Sequence, residues 1–410
     1  MSILKPFKAV RPKRELVGKV ASKPYDVLNS DEARAEVKGN DYSFLHVVKP
    51  EVDLDPMVDP YDKQVYQKAS ENLKKFIDQG VLVQEQEEQL YCYEQEWQGH
   101  KQVGIAGCFS VDEYQSSKIK KHEFTRRKKE DDRVNNILAT NANTGPVFLT
   151  YRSVDQIDHL IMQNTHNEPL YDLTDEYGCR HRVFRVTNQE ELVEAFNHVD
   201  ALYIADGHHR AASASRVRDI KKDANPNHTG NEEYNFFLAV LFPHKQLKIM
   251  DYNRIIKDLN GLSDKEFFDR VKERFEVAEE GDISYSPSSS KMFGLYINKK
   301  WYSLKTKDGT FDASDPVKSL DVAILQDNLL HPILGIEDPR ADERIDFIGG
   351  IRGLRELENK VNSGEWKCAF SMYPTLMEQL LDVADADQTM PPKSTWFEPK
   401  LRSGLFVHLL

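Results

Sequence analysis

The sequence predicts an α+β fold, with mixed sheets and flanking helices. Three observations predict it. Short apolar runs and helically spaced apolar positions follow one another along the whole chain, without strict strand–helix–strand alternation. Gly and Pro clusters separate the runs. The chain has 410 residues, of which 40% are hydrophobic and 30% charged. That is globular composition, long enough for two or three domains at roughly 150 residues each.

The elements follow in order. Residues 1–51 are expected to form short strands and turns, punctuated by Pro6, Pro12, Pro24 and Pro50. From about Asp59 to Gln79, helical spacing of Tyr66, Leu73, Phe76 and Ile77 predicts an amphipathic helix. "LYCYEQEW" and "QVGIAGCFSVDEY" predict an antiparallel strand pair around "QGH". A polar loop then leads to a helix over about Lys128–Thr140, a Gly-Pro turn and a strand over Val147–Tyr151. Two strands are expected around Tyr177-Gly178. A helix follows, with Asn188 as N-cap and Glu191 completing a capping box. Downstream come two apolar strands in "YNFFLAVLFPHKQLKIMDYNRII", a capped helix from Ser263, and a hairpin around Asn298-Lys299. A helix ended by Pro332 and a strand, glycine turn and helix in "DFIGGIRGLRELENK" complete the series.

Net charge is −12, which disfavours non-specific binding to nucleic acid or to an anionic membrane. Cys92, Cys108, Cys179 and Cys368 form no CxxC pair and imply no disulfide framework, so a cytoplasmic setting is expected. The first residues lack the apolar core of a signal peptide.

Chemistry concentrates in three stretches. In "VDALYIADGHHRAASASRVRD", the apolar run Ala201–Ile204 stops at Asp206-Gly207-His208-His209-Arg210. A strand ending there and a helix starting near His209 leave Gly207 in a tight turn. The free N–H groups of that helix start form an anion site, and Arg210 adds a forked cation. His208 and His209 add donors expected to titrate near neutral pH. Ala211, Ala212 and Ala214 suit close packing on a sheet. The bland alternative is a helix capped by Asp206 with surface histidines.

In "KKHEFTRRKKEDDR", Glu123 beside His122 is a candidate general base among cations that suit polyphosphate, or part of a solvated basic stretch. In "MPPKSTWFEPKLRSGL", Lys393, Ser394, Thr395 and Lys400 are phosphate-compatible, or the segment is a strap packed by its aromatics. Gly349, Gly350 and Gly353 form a weaker candidate, and Asp26, His46 and Glu51 have no recognised spacing. No P-loop, protein-kinase motif set or zinc pattern is present in the sequence.

The islands "PFKAVRP", "ASKPYDV", "SFLHVVKPEVDL", "KKHEFT", "EDDR", "ANTGPVF", "DGHHRAASA" and "MPPKSTWFEPK" keep an order that resembles a large, mainly bacterial family labelled a domain of unknown function, number ten-fifteen in that series. The order His-Glu, charged helix, Pro-led strand, "DGHHR" is also similar to free serine kinases of the ParB/sulfiredoxin-like superfamily. That resemblance implies a ParB/sulfiredoxin-like kinase core over 116–260, with an insertion at about 151–200. It leaves an N-terminal α/β region over 1–115 and a C-terminal α+β region over 261–410. It implies Glu123 as base, assisted by His122, and Asp206, Gly207, His208, His209 and Arg210 as the phosphate turn.

The same resemblance implies an L-serine acceptor held near Thr125 and Arg133. The donor would be pyrophosphate, ADP or ATP, with Mg²⁺ on Asp206 and Lys393, Ser394, Thr395 and Lys400 at the donor. Where the kinases lead one to expect a His-Arg pair, this chain has Asn253-Arg254. The expected partners are small molecules and a second copy of the chain, not nucleic acid or membrane. Rival readings are a phospho-metabolite sensor, a ParB-like nucleic-acid-binding regulator, and a pyrophosphate hydrolase.

Overall fold

The computed structural model describes residues 4–410. They group into two compact units, residues 4–247 with Pro399–Leu410, and Lys248–Glu398. The expected mixture of sheets and helices is present in both.

The first unit is built on a nine-stranded sheet. Its strands are β1 (Leu4–Lys5), β2 (Tyr91–Trp97), β3 (His100–Ser110), β4 (Ile119–Lys120), β5 (Val147–Tyr151), β6 (Tyr171–Thr174), β7 (Arg180–Arg185), β8 (Leu202–Asp206) and β9 (Phe236–Pro243). Their order is β4-β8-β5-β9-β3-β2-β7-β6, with β1 pairing beside the end of β3. The β4–β8 and β5–β9 pairs are parallel and the others antiparallel. β2 and β3 join through Gln98-Gly99, both at positive φ, as a two-residue hairpin requires. The core between sheet and helices contains Ile105, Phe109, Leu149, Phe184, Phe196, Ile204 and Leu241, all essentially inaccessible.

The longer helices of this unit are α1 (Lys63–Asp78), α2 (Arg127–Thr140), α3 (Asp155–Gln163), α4 (Gln189–Asn197) and α5 (His208–Ala224); α3, α4 and α5 pack on the sheet, α2 packs on α5, and α1 packs on α2. α5 packs two ways. Ala211, Ala212 and Ala214 join the sheet core, where only small side chains permit a close approach. Val217 instead packs with Val134 and Ile137 of α2.

Two local expectations are corrected. Much of residues 1–51 is helical: Ser30–Glu36 starts on an Asn29–Glu32 capping box, and Leu45–Val48 and Pro50–Asp53 are short helices. The run "LHVV" is too short for its spacing to tell helix from strand, and burial of Leu45, Val47 and Val48 decides it. Asn188 does stand at the N-cap of α4, but its side chain makes no cap bond. It donates to the Leu160 carbonyl at 3.1 Å and accepts from Asn164 Nδ2 at 2.9 Å, tying α4 to α3.

The second unit holds a six-stranded antiparallel sheet of β10 (Tyr252–Ile256), β11 (Phe275–Gly281), β12 (Met292–Ile297), β13 (Lys300–Thr306), β14 (Ile345–Gly349) and β15 (Cys368–Met372). Their order is β11-β13-β12-β15-β10-β14. The β12–β13 hairpin turns on Asn298 and Lys299, both at positive φ. Helix α6 (Asp264–Arg274) carries the Ser263–Glu266 capping box that its sequence predicts.

Candidate active site

The turn forms where strand geometry forces it. β8 runs through Asp206, α5 begins at His208, and Gly207 alone makes the junction at φ 94°. That conformation suits glycine. A Cβ on Gly207 would also lie 3.0 Å from Arg210 Nε. Gly207→Ala is therefore expected to destabilise the protein by about 1–2 kcal/mol, read as a lowered Tm, and to displace the Arg210 guanidinium. An unchanged Tm would contradict this account of the turn.

The His122-Glu123 loop meets the turn through a parallel pairing. β4 lies beside β8 with Ile119 opposite Leu202 and Lys120 opposite Tyr203. Two chains leaving the sheet in the same direction carry His122 and Glu123 to the same edge as Asp206, Gly207 and His208. His208 Nδ1 lies 3.7 Å from Glu123 Oε2. The His122 and His208 rings meet edge to face, with centroids 4.5 Å apart.

The three imidazoles are neutral near pH 7, a correction to the expectation for His208 and His209. Burial pushes His122 and His209 down to about 4 and His208 well below its usual value. For His208 the neighbouring His122 adds to burial, against the pull of Asp206. The tautomers follow from the donors that reach the rings. The His122 backbone N–H approaches His208 Nε2 at 3.4 Å, and the Arg126 N–H donates to His209 Nε2 at 2.9 Å. Each ring accepts at Nε2 and keeps its proton on Nδ1. In His208 that N–H faces Glu123.

A pH dependence of stability results. An unfolded histidine binds its proton near pH 6.5, whereas folded His122 binds it near 4. The folded state is thus favoured above pH 6.5, and stability is lost as pH falls from 6.5 towards 4. At about 1.4 kcal/mol per unit, His122 accounts for roughly 3 kcal/mol at most. Urea midpoints at pH 7.5 and pH 5 are expected to differ, and His122→Phe to shrink the difference. The same difference in that variant would contradict the assignment.

Asp206 is the anionic pole. Burial alone would raise its pKa, but Lys400 and Arg210 hold it down to about 2. Lys400 Nζ is 3.7 Å and Arg210 Nη2 3.4 Å from Asp206 Oδ2. Arg210 Nη2 also lies 3.8 Å from Asp26 Oδ2, and its Nη1 donates to the Pro146 carbonyl. Asp26, which had no assignable spacing, thus joins the site. His46 and Glu51 do not: His46 Nδ1 pairs with Asp53 at 2.8 Å, and Glu51 with Lys49 at 3.0 Å.

Thr125 donates to Glu130 in the loop before α2. Arg133 is buried on α2, with Asp132 Oδ2 at 2.7 Å from its Nε and the Tyr25 ring 4.0 Å from its guanidinium. Of the four candidates near the C-terminus, only Lys400 belongs to the unit that holds the turn. In the second unit, Ser394 Oγ donates to the Pro391 carbonyl at 2.6 Å, and Lys393 Nζ lies 5.3 Å from the centre of the Tyr252 ring. Thr395 is half-buried beside them. Asn253 is a structural residue there, fully buried and accepting from the Met372 N–H at 2.9 Å. Sequence reasoning missed Arg254. It is buried, and its Nη2 donates to the Lys393 carbonyl at 3.1 Å. Gly350 faces Asp251, which a Cβ would strike at 2.0 Å, so this glycine serves packing.

Residues 151–200 support the strap. The β6–β7 turn presents Glu176, whose carboxylate lies 2.9 Å from Arg402 Nη2 and 3.0 Å from Lys23 Nζ. Lys23 precedes Tyr25-Asp26 and Arg402 follows Lys400, so one carboxylate ties both site-bearing segments together. Behind it His181 bridges Asp175 (3.0 Å) and Tyr93 Oη (2.8 Å). Cys179 lies with this pair, and the three ligand-type atoms of Asp175, Cys179 and His181 fall within 4.8 Å of one another. Both His181 nitrogens are already bonded and Arg402 Nη1 stands 3.7 Å from Asp175, so this cluster is a strut rather than a metal site. Glu176→Ala is expected to loosen the strap, because Arg402 and Lys23 lose their shared carboxylate. Faster amide hydrogen exchange over residues 399–404 measures it, and an unchanged exchange rate would contradict it.

Comparison with known proteins gives one family. A family model described as "Protein of unknown function (DUF1015)" matches residues 4–323. No curated protein matches. Among solved structures, a variant of a free serine kinase in complex with AMP is similar at 14% identity and TM-score 0.37, covering 71% of this chain and 87% of that one. A conserved hypothetical protein from Pyrococcus furiosus is similar at 14% identity and TM-score 0.37, covering 74% and 95%. A C-terminally truncated SbnI from Staphylococcus aureus is similar at 12% identity and TM-score 0.36, covering 74% and 87%. No helix of the described residues is long and apolar enough to cross a membrane.

Proposed function

The chain belongs to the DUF1015 family, and we propose that it is a free L-serine kinase that forms O-phospho-L-serine, with inorganic pyrophosphate as the favoured phosphoryl donor. One observation carries this reading. A carboxylate, Glu123, stands against an anion-binding helix start, with His208 Nδ1–H directed at it from 3.7 Å. Phosphoryl transfer needs in-line positioning and charge neutralisation more than covalent chemistry, and a base plus a cradle supplies both.

In this reading Glu123 takes the proton of the serine hydroxyl. The oxygen attacks a terminal phosphorus of the donor, a new O–P bond forms, and the bridging P–O bond breaks to release phosphate. The free N–H groups at the start of α5, the Arg210 fork and the Nδ1–H of His209 hold the phosphoryl oxygens, while the Nδ1–H of His208 faces the Glu123 carboxylate. His122 keeps His208 oriented through its backbone N–H. Lys400 adds charge from the strap. Thr125 and Arg133 belong to the acceptor side. Asp206, ionised and a third exposed, would hold Mg²⁺ through a carboxylate oxygen. That ion would neutralise charge on the donor. The kinase core is taken as residues 116–260, between regions 1–115 and 261–410, in a cytoplasmic enzyme.

The test is direct. Protein, Mg²⁺ and L-serine are mixed with pyrophosphate, ADP or ATP in parallel, and O-phosphoserine is sought by mass spectrometry. Product with pyrophosphate supports the full reading, and product only with a nucleotide corrects the donor. No product with any donor overturns the reading.

A further inference from the structure

Asp26 takes no part in the transfer step, yet each residue from Ser22 to Tyr25 that leads to it is fastened. Ser22 and Ser403 exchange backbone hydrogen bonds at 3.0 and 2.9 Å. Lys23 Nζ lies between Glu36 (2.7 Å) and Glu176 (3.0 Å). Pro24 is buried and fixes its own φ. The Tyr25 ring centre lies 4.0 Å from the Arg133 guanidinium. A carboxylate presented in this way has lost its freedom before a ligand arrives, which is how a binding group is preorganised.

The carboxylate itself has acceptor capacity to spare. Its side chain is 27% exposed, and the cation paired with it is Arg210, whose Nη2 lies 3.8 Å from Oδ2, beyond hydrogen-bond length. No hydrogen bond reaches it from the described residues. Its charge is felt at His209, where it opposes the lowering of the pKa by burial and Lys129. Asp26 thus borders both side chains assigned to the phosphoryl oxygens.

An acid in that position works against the phosphate donor, because like charges a few ångströms apart repel. An ionised carboxylate accepts and never donates, so its complement is a cation that carries donors or is itself a Lewis acid. A primary ammonium and a divalent metal ion both answer to that. A metal ion asks for several ligand oxygens, and no group of three metal-ligating side chains among the described residues includes Asp26. The ammonium is the better match.

We propose that Asp26 binds the α-ammonium of the acceptor amino acid at the rim of the phosphate turn. The identity of the acceptor rests on the kinase reading, and the requirement for an ammonium does not. Arg210 and Asp26 then sort the two substrates by charge. The fork takes the anionic donor, and the carboxylate takes the cationic end of the acceptor.

The experiment titrates L-serine, 3-hydroxypropionate (serine without its ammonium), pyrophosphate and Mg²⁺ into wild-type protein and Asp26→Asn by calorimetry, with turnover and the KM for L-serine measured separately. Asparagine keeps the shape and removes the charge at a partly exposed position, so Tm is expected to hold. L-serine affinity is expected to fall about 10–100-fold in Asp26→Asn, the usual worth of a hydrogen bond to a charged group. Binding of 3-hydroxypropionate should be undiminished, and pyrophosphate affinity unchanged or raised. Asp26→Glu, which restores the charge, is expected to recover part of the L-serine affinity. A residue that only positions Arg210 predicts the opposite split: weaker pyrophosphate binding and equal losses for both acceptor compounds. That split, wild-type L-serine affinity in Asp26→Asn, a loss confined to Mg²⁺, or no L-serine binding by wild type would overturn the proposal. Ammonium-dependent L-serine binding that needs Asp26, with no turnover on any donor, would keep the proposal and reject the kinase reading. Turnover with a KM for L-serine unchanged by Asp26→Asn would reject the proposal and keep the kinase.

Discussion

Replacing Glu123 with glutamine is expected to lower kcat by about 10²–10⁴-fold, the usual worth of a positioned general base, while leaving pyrophosphate affinity within about twofold. The amide keeps the size of the side chain, and its oxygen can take the place of the carboxylate oxygen 3.7 Å from His208 Nδ1. It cannot take the hydroxyl proton. The loss should therefore appear in kcat rather than in the dissociation constant for donor. Because the imidazoles stay neutral down to about pH 4, no step attributable to them is expected in the pH–rate profile between 6 and 8. Near-parental turnover by Glu123→Gln would remove the base and leave the site as a binding module.

The second large effect is expected at Arg210. Its guanidinium faces Asp206 at 3.4 Å, Asp26 at 3.8 Å and the Pro146 carbonyl. Arg210→Ala removes this cation from Asp26 and leaves Asp206 with Lys400 alone, so the cradle loses much of its attraction for anions. A charge-assisted hydrogen bond contributes about 1.5–3 kcal/mol, so pyrophosphate affinity should fall roughly 10–100-fold. Arg210→Lys separates charge from shape: it restores the charge but not the fork, and should recover part of the affinity. Calorimetry with pyrophosphate reads both variants. Undiminished affinity in Arg210→Ala would exclude the turn as the donor site.

How much of this was legible in the sequence differs by residue. The turn was legible because an apolar run that stops at Asp-Gly-His-His-Arg has few other local solutions. β5 and the helix after Gly207 were legible for the same local reasons. Glu123 was not legible from its own stretch. Its place beside His208 depends on β4 pairing in parallel with β8, a non-local contact that left no periodic trace, and only the family resemblance pointed to it. The histidines were misjudged because titration depends on burial, and burial depends on what packs against the ring. Lys400 was legible as a phosphate-compatible side chain, but its arrival at Asp206 required the strap to fold back against Gln95, whose Nε2 donates to the Lys400 carbonyl at 2.9 Å.

The central claim is that the serine hydroxyl oxygen attacks the donor. L-serine labelled with ¹⁸O in its hydroxyl, incubated with the protein, Mg²⁺ and pyrophosphate, tests it in one mass spectrum. The predicted result is O-phosphoserine that retains the label in its C–O–P bridge, formed together with unlabelled phosphate. Release of phosphate from pyrophosphate with all serine recovered unmodified would contradict it.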